Sequence, residues 1–172
     1  RDRDMQKYSK KIFGYGYTDK KMKGLRDLFA GGTLVLYAYR LNGGGVKAAN
    51  DYATAKYTGI RGNDIKISIA KDIDDPDSWN VTTYLDTSRI EVQNVKKAAD
   101  LKDNDYVSFK TESMELAAVA SAALTGGTNG TVDGDAHAKY LEKAEAYGFN
   151  TMGVVITDEV TKKLYVAYVK RM

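Results

Sequence analysis

The spacing of hydrophobic positions divides this chain into three textures. Between Thr18 and Ala30, Met22, Leu25, Leu28 and Phe29 recur on one helical face. Thr18 or Asp19 stands where an N-cap belongs, and Gly31-Gly32 ends the run. Thr33 to Leu41 (T-L-V-L-Y-A-Y-R-L) is β-rich and apolar on both faces, the pattern of a strand covered on both sides in an α/β sheet. Asn42-Gly43-Gly44-Gly45 breaks it and is the strongest boundary signal in the chain.

From Val46 to about Lys110 the period shortens to two. Ile65 to Ile69 (I-K-I-S-I) puts isoleucines on one face and Lys66 and Ser68 on the other, and Trp79–Leu85, Ser88–Val92 and Asp105–Lys110 behave alike. Turns fall between them at Arg61–Asp64, at Asp72–Ser78 with the only proline, and at Lys102–Asn104. Short strands at this spacing predict a small antiparallel β-sandwich or barrel. Met114 to Leu124 stays open, since its alanines favour a helix and its position before a turn suits a strand.

Helical spacing then returns. Ala136 to Tyr147 aligns Tyr140, Leu141, Ala144 and Tyr147 before Gly148, Phe149 to Ile156 is again apolar on both faces, and Asp158 to Met172 carries Val160, Leu164, Tyr168 and Met172. The order predicts an α+β chain. An α/β domain with helices on a mixed sheet supplies residues 1–45 and 128–172, and an inserted β-sandwich occupies 46–127. Strands 33–41 and 149–156 are expected to share one sheet.

Composition narrows the function. The chain has 172 residues, 43% hydrophobic and 28% charged, with net charge +3 and the signs well mixed. The densest basic run, Lys20-Lys21-Met22-Lys23, has Asp19 and Asp27 beside it. It reads as a solvated helix face, so no nucleic-acid partner is expected. There are no cysteines, hence neither disulfides nor thiolate metal sites. The longest apolar run, Leu116 to Leu124 interrupted by Ser121, is too short to span a bilayer, and no membrane partner is expected. The start at Arg1 and the stop at Met172 inside a helical pattern suggest a piece of a longer protein.

Candidate chemistry is sparse. Thr125 to Asp135 (T-G-G-T-N-G-T-V-D-G-D) is glycine-rich and opens a helix, as phosphate sites do. A P-loop, however, needs a lysine after its last glycine, and here Thr131 follows Gly130 with no lysine before Lys139. Asp133 and Asp135 would repel phosphate, and the glycine spacing fails the dinucleotide fingerprint. A linker ending in an aspartate N-cap is the better reading. Asp72 to Asp77 clusters carboxylates, but Pro76 stands where a calcium loop wants a ligand. A polar connection is expected, with a weak surface ion as the open alternative. His137 is the single histidine and is expected to be a solvated helix residue, because triads and zinc sites need partners. Tyr8, Tyr15 and Tyr17 are a tyrosine-rich stretch suited to protein contact. No catalytic, cofactor-binding or metal residue is assigned.

Several segments taken in order resemble a known family. F-G-Y-G-Y-T-D-K-K-M-K-G-L-R-D-L-F, L-Y-A-Y-R-L-N-G-G-G-V-K-A and A-K-Y-T-G-I-R-G-N-D-I-K-I-S-I are followed by N-D-Y-V-S-F-K, A-L-T-G-G-T-N-G and Y-L-E-K-A-E-A-Y-G-F-N-T. Together they resemble the tail sheath protein of contractile phage tails, especially sheaths of defective prophages and R-type bacteriocins of Gram-positive bacteria. The resemblance implies a structural subunit with no enzyme activity and no cofactor. Its partners would be other sheath subunits in a helical lattice, the inner tail tube and the baseplate, within a phage or phage-tail-like particle assembled in the bacterial cytoplasm. The lattice would contract and drive the tube through a cell envelope. The family's α/β region is sometimes called subtilisin-like, and the serine-protease triad is missing here. Its terminal arms, which knit neighbours by strand exchange, are expected to lie outside this chain, so the chain alone is expected to be monomeric or only weakly associated. The competing expectation is a β-sandwich adhesin recognising carbohydrate or protein, which lined-up exposed aromatics on one β-face would favour.

Overall fold

A computed structural model describes residues 2–172 of the chain. The period-two region folds as the alternation requires. Strands β1 (Lys47–Ala49), β2 (Ala53–Thr58), β3 (Ile65–Lys71), β4 (Trp79–Leu85), β5 (Ser88–Val95), β6 (Val107–Phe109) and β7 (Val119–Ala123) follow in order. They form two antiparallel sheets, β1–β2–β6 and β5–β4–β3–β7. Ile65, Ile67 and Ile69 lie opposite Leu85, Thr83 and Val81, and all six are buried. They join Ala48, Ala53, Ala55, Val107, Phe109 and Leu124 in one core between the sheets. Asparagines set the strand entries. Asn50 Oδ1 accepts from the backbone N–H groups of Tyr52 and Ala53 at 2.9 Å, and Asn104 Oδ1 does the same for Tyr106 and Val107. The open region 114–124 resolves as strand over 119–123, where β7 pairs with β3, and Leu124 after it is fully buried. Its alanines serve an edge strand, where the burial of Leu124 outweighs helix propensity.

The helical segments frame this sandwich. A helix absent from the sequence expectation, α1 (Asp2–Phe13), precedes the predicted one. That one is shorter than its pattern: a 3-10 turn at Lys20–Met22 leads into α2 (Lys23–Ala30), with Asp19 capping the turn at 2.8 Å. α3 (Gly134–Ala144) and α4 (Glu159–Arg171) begin at Asp133 and Asp158, whose carboxylates accept from the N–H groups of Ala136 and Thr161. Leu141 and Ala144 of α3 pack on Tyr165 and Tyr168 of α4 in a second, smaller cluster.

The two-faced apolar segments depart from expectation. Neither 33–41 nor 149–156 pairs in a sheet. Met152, Val154 and Ile156 pack on the α3–α4 cluster, whereas Val155 between them is fully exposed. Leu34 and Val35 are 81% and 67% exposed, while Thr33 Oγ1 donates to Leu28 O of α2 at 2.8 Å, Tyr37 lies on Tyr147 at 4.7 Å and Tyr39 on Tyr140 of α3 at 5.4 Å. A central strand needs neighbours on both edges and cover on both faces. Within this chain each segment finds cover on one face and a partner on no edge.

Candidate interaction surfaces and the helix–sandwich junction

The glycine-rich stretch that suggested phosphate uses its amides on its own chain. The N–H of Thr125 donates to Ala49 O, Gly127 to Asn63 Oδ1, Thr128 to Val46 O and Gly130 to Asn42 O, all at 2.8–3.1 Å. In return Val46 donates to Thr128 O and Ala49 to Thr125 O. The passage into the sandwich (42–49) and the passage out (125–130) therefore form one paired neck. Its glycines are there for room. A Cβ on Gly45 would stand 1.8 Å from Thr128 O, and one on Gly130 2.6 Å from Gly44 N. With its donors spent and two aspartates following, the stretch offers no anion cradle.

The acidic loop is equally self-contained. Asp72 accepts from the backbone N–H of Asp74 and Asp75 and from the side-chain amides of Asn80 and Asn94, at 2.7–3.2 Å. Asp75 accepts from Ser78 Oγ at 2.7 Å and pairs with Lys96 at 3.4 Å. These hydrogen bonds hold both carboxyls below the ordinary carboxylate range, the Asp74 N–H leading for Asp72 and the Ser78 hydroxyl for Asp75. Among the described residues no group of three or more His, Asp or Glu side chains could hold a metal ion. No described helix is long and apolar enough to cross a membrane.

His137 is not solvated. It is 6% exposed on the inner face of α3, with Nδ1 2.8 Å from the Tyr165 hydroxyl and the two rings edge to face. Its place in the first turn of α3 suggested water, but the crossing of α4 covers that turn. The contact is a positioning bond inside the cluster. Burial also pushes the Tyr165 hydroxyl up to about 12.

The tyrosine-rich N-terminal stretch meets the sandwich at Arg61. Its Nε donates to Gly14 O at 2.6 Å, one terminal nitrogen to Asp64 at 2.7 Å, and the fork grips both carboxylate oxygens of Asp86 at 2.6 Å. The Tyr15 ring lies over the guanidinium at 4.9 Å. Lys10 reaches Ser88 Oγ at 2.7 Å and Asp86 at 3.5 Å, and Lys11 pairs with Asp105 at 2.7 Å. The Arg61 hydrogen bonds hold the Asp86 carboxyl below its usual range. Sequence reading passed over Arg61 because it sat in a turn; three aspartate or carbonyl partners converge on it only in space.

Exposed hydrophobic side chains are found along the chain, several of them on and beside α4. Val155, Val160, Val166 and Val169 are 101%, 81%, 53% and 56% exposed, close to the uncovered Leu34 and Val35 in type if not in sequence. Patches of this kind mark contact surfaces rather than solvent faces.

The sandwich matches a family described as the phage tail sheath protein beta-sandwich domain, over residues 43–129, about half of the chain. The chain belongs to the phage tail sheath family. Such proteins are structural, not enzymes. The sheath chain is 33% identical to a sheath tail protein from Desulfitobacterium hafniense, with a TM-score of 0.85 over 94% of this chain and 39% of that one. A sheath tail protein from Listeria innocua is 34% identical, with a TM-score of 0.77 over 97% and 39%. Among curated relatives, the phage-like element PBSX protein XkdK and the protein YqbK, both of Bacillus subtilis, are 32% and 35% identical over 95% of this chain. The sheath chain spans 40% of the length of those two relatives. The likeness to solved sheath proteins reaches well beyond the sandwich into both helical segments.

Proposed function

We propose that this chain is part of a contractile tail sheath subunit that polymerises around an inner tail tube and shortens to drive the tube through a cell envelope. The observation that carries this reading is the agreement of both helical segments and the sandwich with solved sheath proteins, at a TM-score of 0.85. In this reading 1–45 and 128–172 belong to one body, and 46–127 is a domain inserted into it. The uncovered faces of 33–41, 149–156 and α4 are then the inside of that body, covered by polypeptide that full-length relatives carry outside the matched region. Neighbouring sheath subunits, the tube and the baseplate are its partners, in an infectious phage, a defective prophage or an R-type bacteriocin particle.

An adhesin role has less support. The outward register positions of β3 and β4 are Lys66, Ser68, Ala70, Asn80, Thr82 and Tyr84, so one aromatic stands where a sugar-binding face would line up several. The experiment is electron microscopy of the full-length parent, expressed with its tube protein. Hollow helical tubes around a tube core are expected, in an extended and a shortened form. Discrete particles with no helical lattice would overturn the reading.

A further inference from the structure

The sandwich is joined to the rest of the chain in two main places of opposite character, and Arg40 donates to Thr58 O at 2.7 Å beside the first. One is the neck, where the two passages hydrogen-bond to each other and a Cβ on Gly45 or Gly130 would overlap the facing backbone. The other is the Arg61 junction, made of ion pairs and hydrogen bonds with the Tyr15 ring over the guanidinium. Neither hydrophobic cluster contains a residue of α1 or of the turn after it. The charges are suited to an attachment of that kind: residues 1–26 carry nine basic and three acidic side chains, whereas 43–129 carry ten and thirteen.

Two backbone features aim the partners at each other. Gly14, at φ +77°, ends α1 in a left-handed turn that only glycine adopts freely, and this turns its carbonyl onto Arg61. Asp86, at φ +56°, is the one non-glycine residue with positive φ among those described, and its carboxylate takes the Arg61 fork. A residue held in that region without glycine is a departure that its surroundings must sustain. The side chains are partly open to water, 24% for Arg61 and 42% for Asp86, so ions compete for them.

We propose that Arg61 is a releasable latch: the glycine neck fixes where the sandwich is attached, and Arg61 gripping Gly14 and Asp86 fixes its angle to α1. Opening the latch frees α1 to change its angle to the sandwich, whose own core stays untouched. The paired neck resists bending, so this freedom lies at the polar contact and not at the neck. This goes beyond the sheath role and would stand even if the parent did not contract.

The test uses the chain's lack of cysteine. Spin labels on Ile12→Cys, in α1, and Ile73→Cys, at the far end of the sandwich, report the angle by pulsed electron resonance. Both positions are exposed, 65% and 95%. One narrow distance is expected at low salt. Asp86→Asn, which tolerates the same backbone region, should broaden it, and about 1 M salt should broaden the parent protein similarly. Amide exchange is the second readout. In Asp86→Asn the amides of residues 14–17 should exchange about fivefold faster or more, while β3, β4 and β5 keep their protection. A distance that neither salt nor Asp86→Asn alters overturns the proposal. So does loss of protection throughout β3–β5, because Arg61 would then be a support of the sandwich itself.

Discussion

Two side chains show how local surroundings set behaviour at the residue scale. Tyr165 is buried beside Tyr140, and desolvation raises its hydroxyl from 10.0 to about 12. Because the folded value is the higher one, the tyrosine's contribution is complete below pH 10 and is lost as pH rises toward 12. The helical contribution to far-ultraviolet dichroism should therefore weaken between those values, and Tyr165→Phe should flatten that response. The same substitution leaves His137 Nδ1 without its partner, at a cost of about 1–3 kcal/mol. Gly45 is limited by space instead. Gly45→Ala places a methyl 1.8 Å from Thr128 O and should cost more than about 2 kcal/mol in urea unfolding. Gly16→Ala meets nothing within 4 Å and should cost far less.

Elements differ in what holds them. The sandwich rests on a continuous core in which Ile67 has no exposure at all, so Ile67→Ala should cost about 2–5 kcal/mol, read from the chemical denaturation midpoint of the sandwich. α3 and α4 depend more on their ends. Asp133→Ala or Asp158→Ala removes a single capping bond and should cost about 1 kcal/mol in the helical transition, with the sandwich unchanged. The helices and the sandwich strands were readable from period and caps because each buries one face, and burial of one face writes its period into the residues. α1 was missed for the opposite reason. Met5, Tyr8 and Ile12 recur at helical spacing there, but among its described residues only Met5 and Ser9 are buried, and Tyr8 and Ile12 stay exposed. The segments 33–41 and 149–156 were legible as strands by composition, yet composition says what a segment needs and not whether its neighbours are present.

At the scale of the whole molecule, the uncovered valines and leucines bear on how far the chain alone associates. Val155 and Val160 are 101% and 81% exposed, and Leu34 is 81% exposed. Surfaces of this kind self-associate in water. Sedimentation velocity on the 172-residue chain should show concentration-dependent association, reduced by Val155→Lys with Val160→Lys. A single monomeric boundary at every concentration would mean these faces are not adhesive. The neck also acts at this scale: glycines in open linkers absorb dihedral change, but pairing of its two passages restricts that freedom.

By itself the sequence determined the sandwich with its inward isoleucines, the helices α2, α3 and α4, the aspartate caps and the absence of a nucleotide motif. Each is a property of neighbours along the chain, where period and turn chemistry act directly. It also held the family resemblance, since order and spacing of motifs survive when no single motif is decisive. Tertiary structure alone decided that His137 is buried, that the two glycine passages lie against each other, and that Arg61 gathers Gly14, Asp64 and Asp86. Gly14 and Asp86 lie 47 and 25 positions from Arg61, and contacts at such separations leave no local pattern: they exist only once the sandwich has closed and brought its turns back to the first helix.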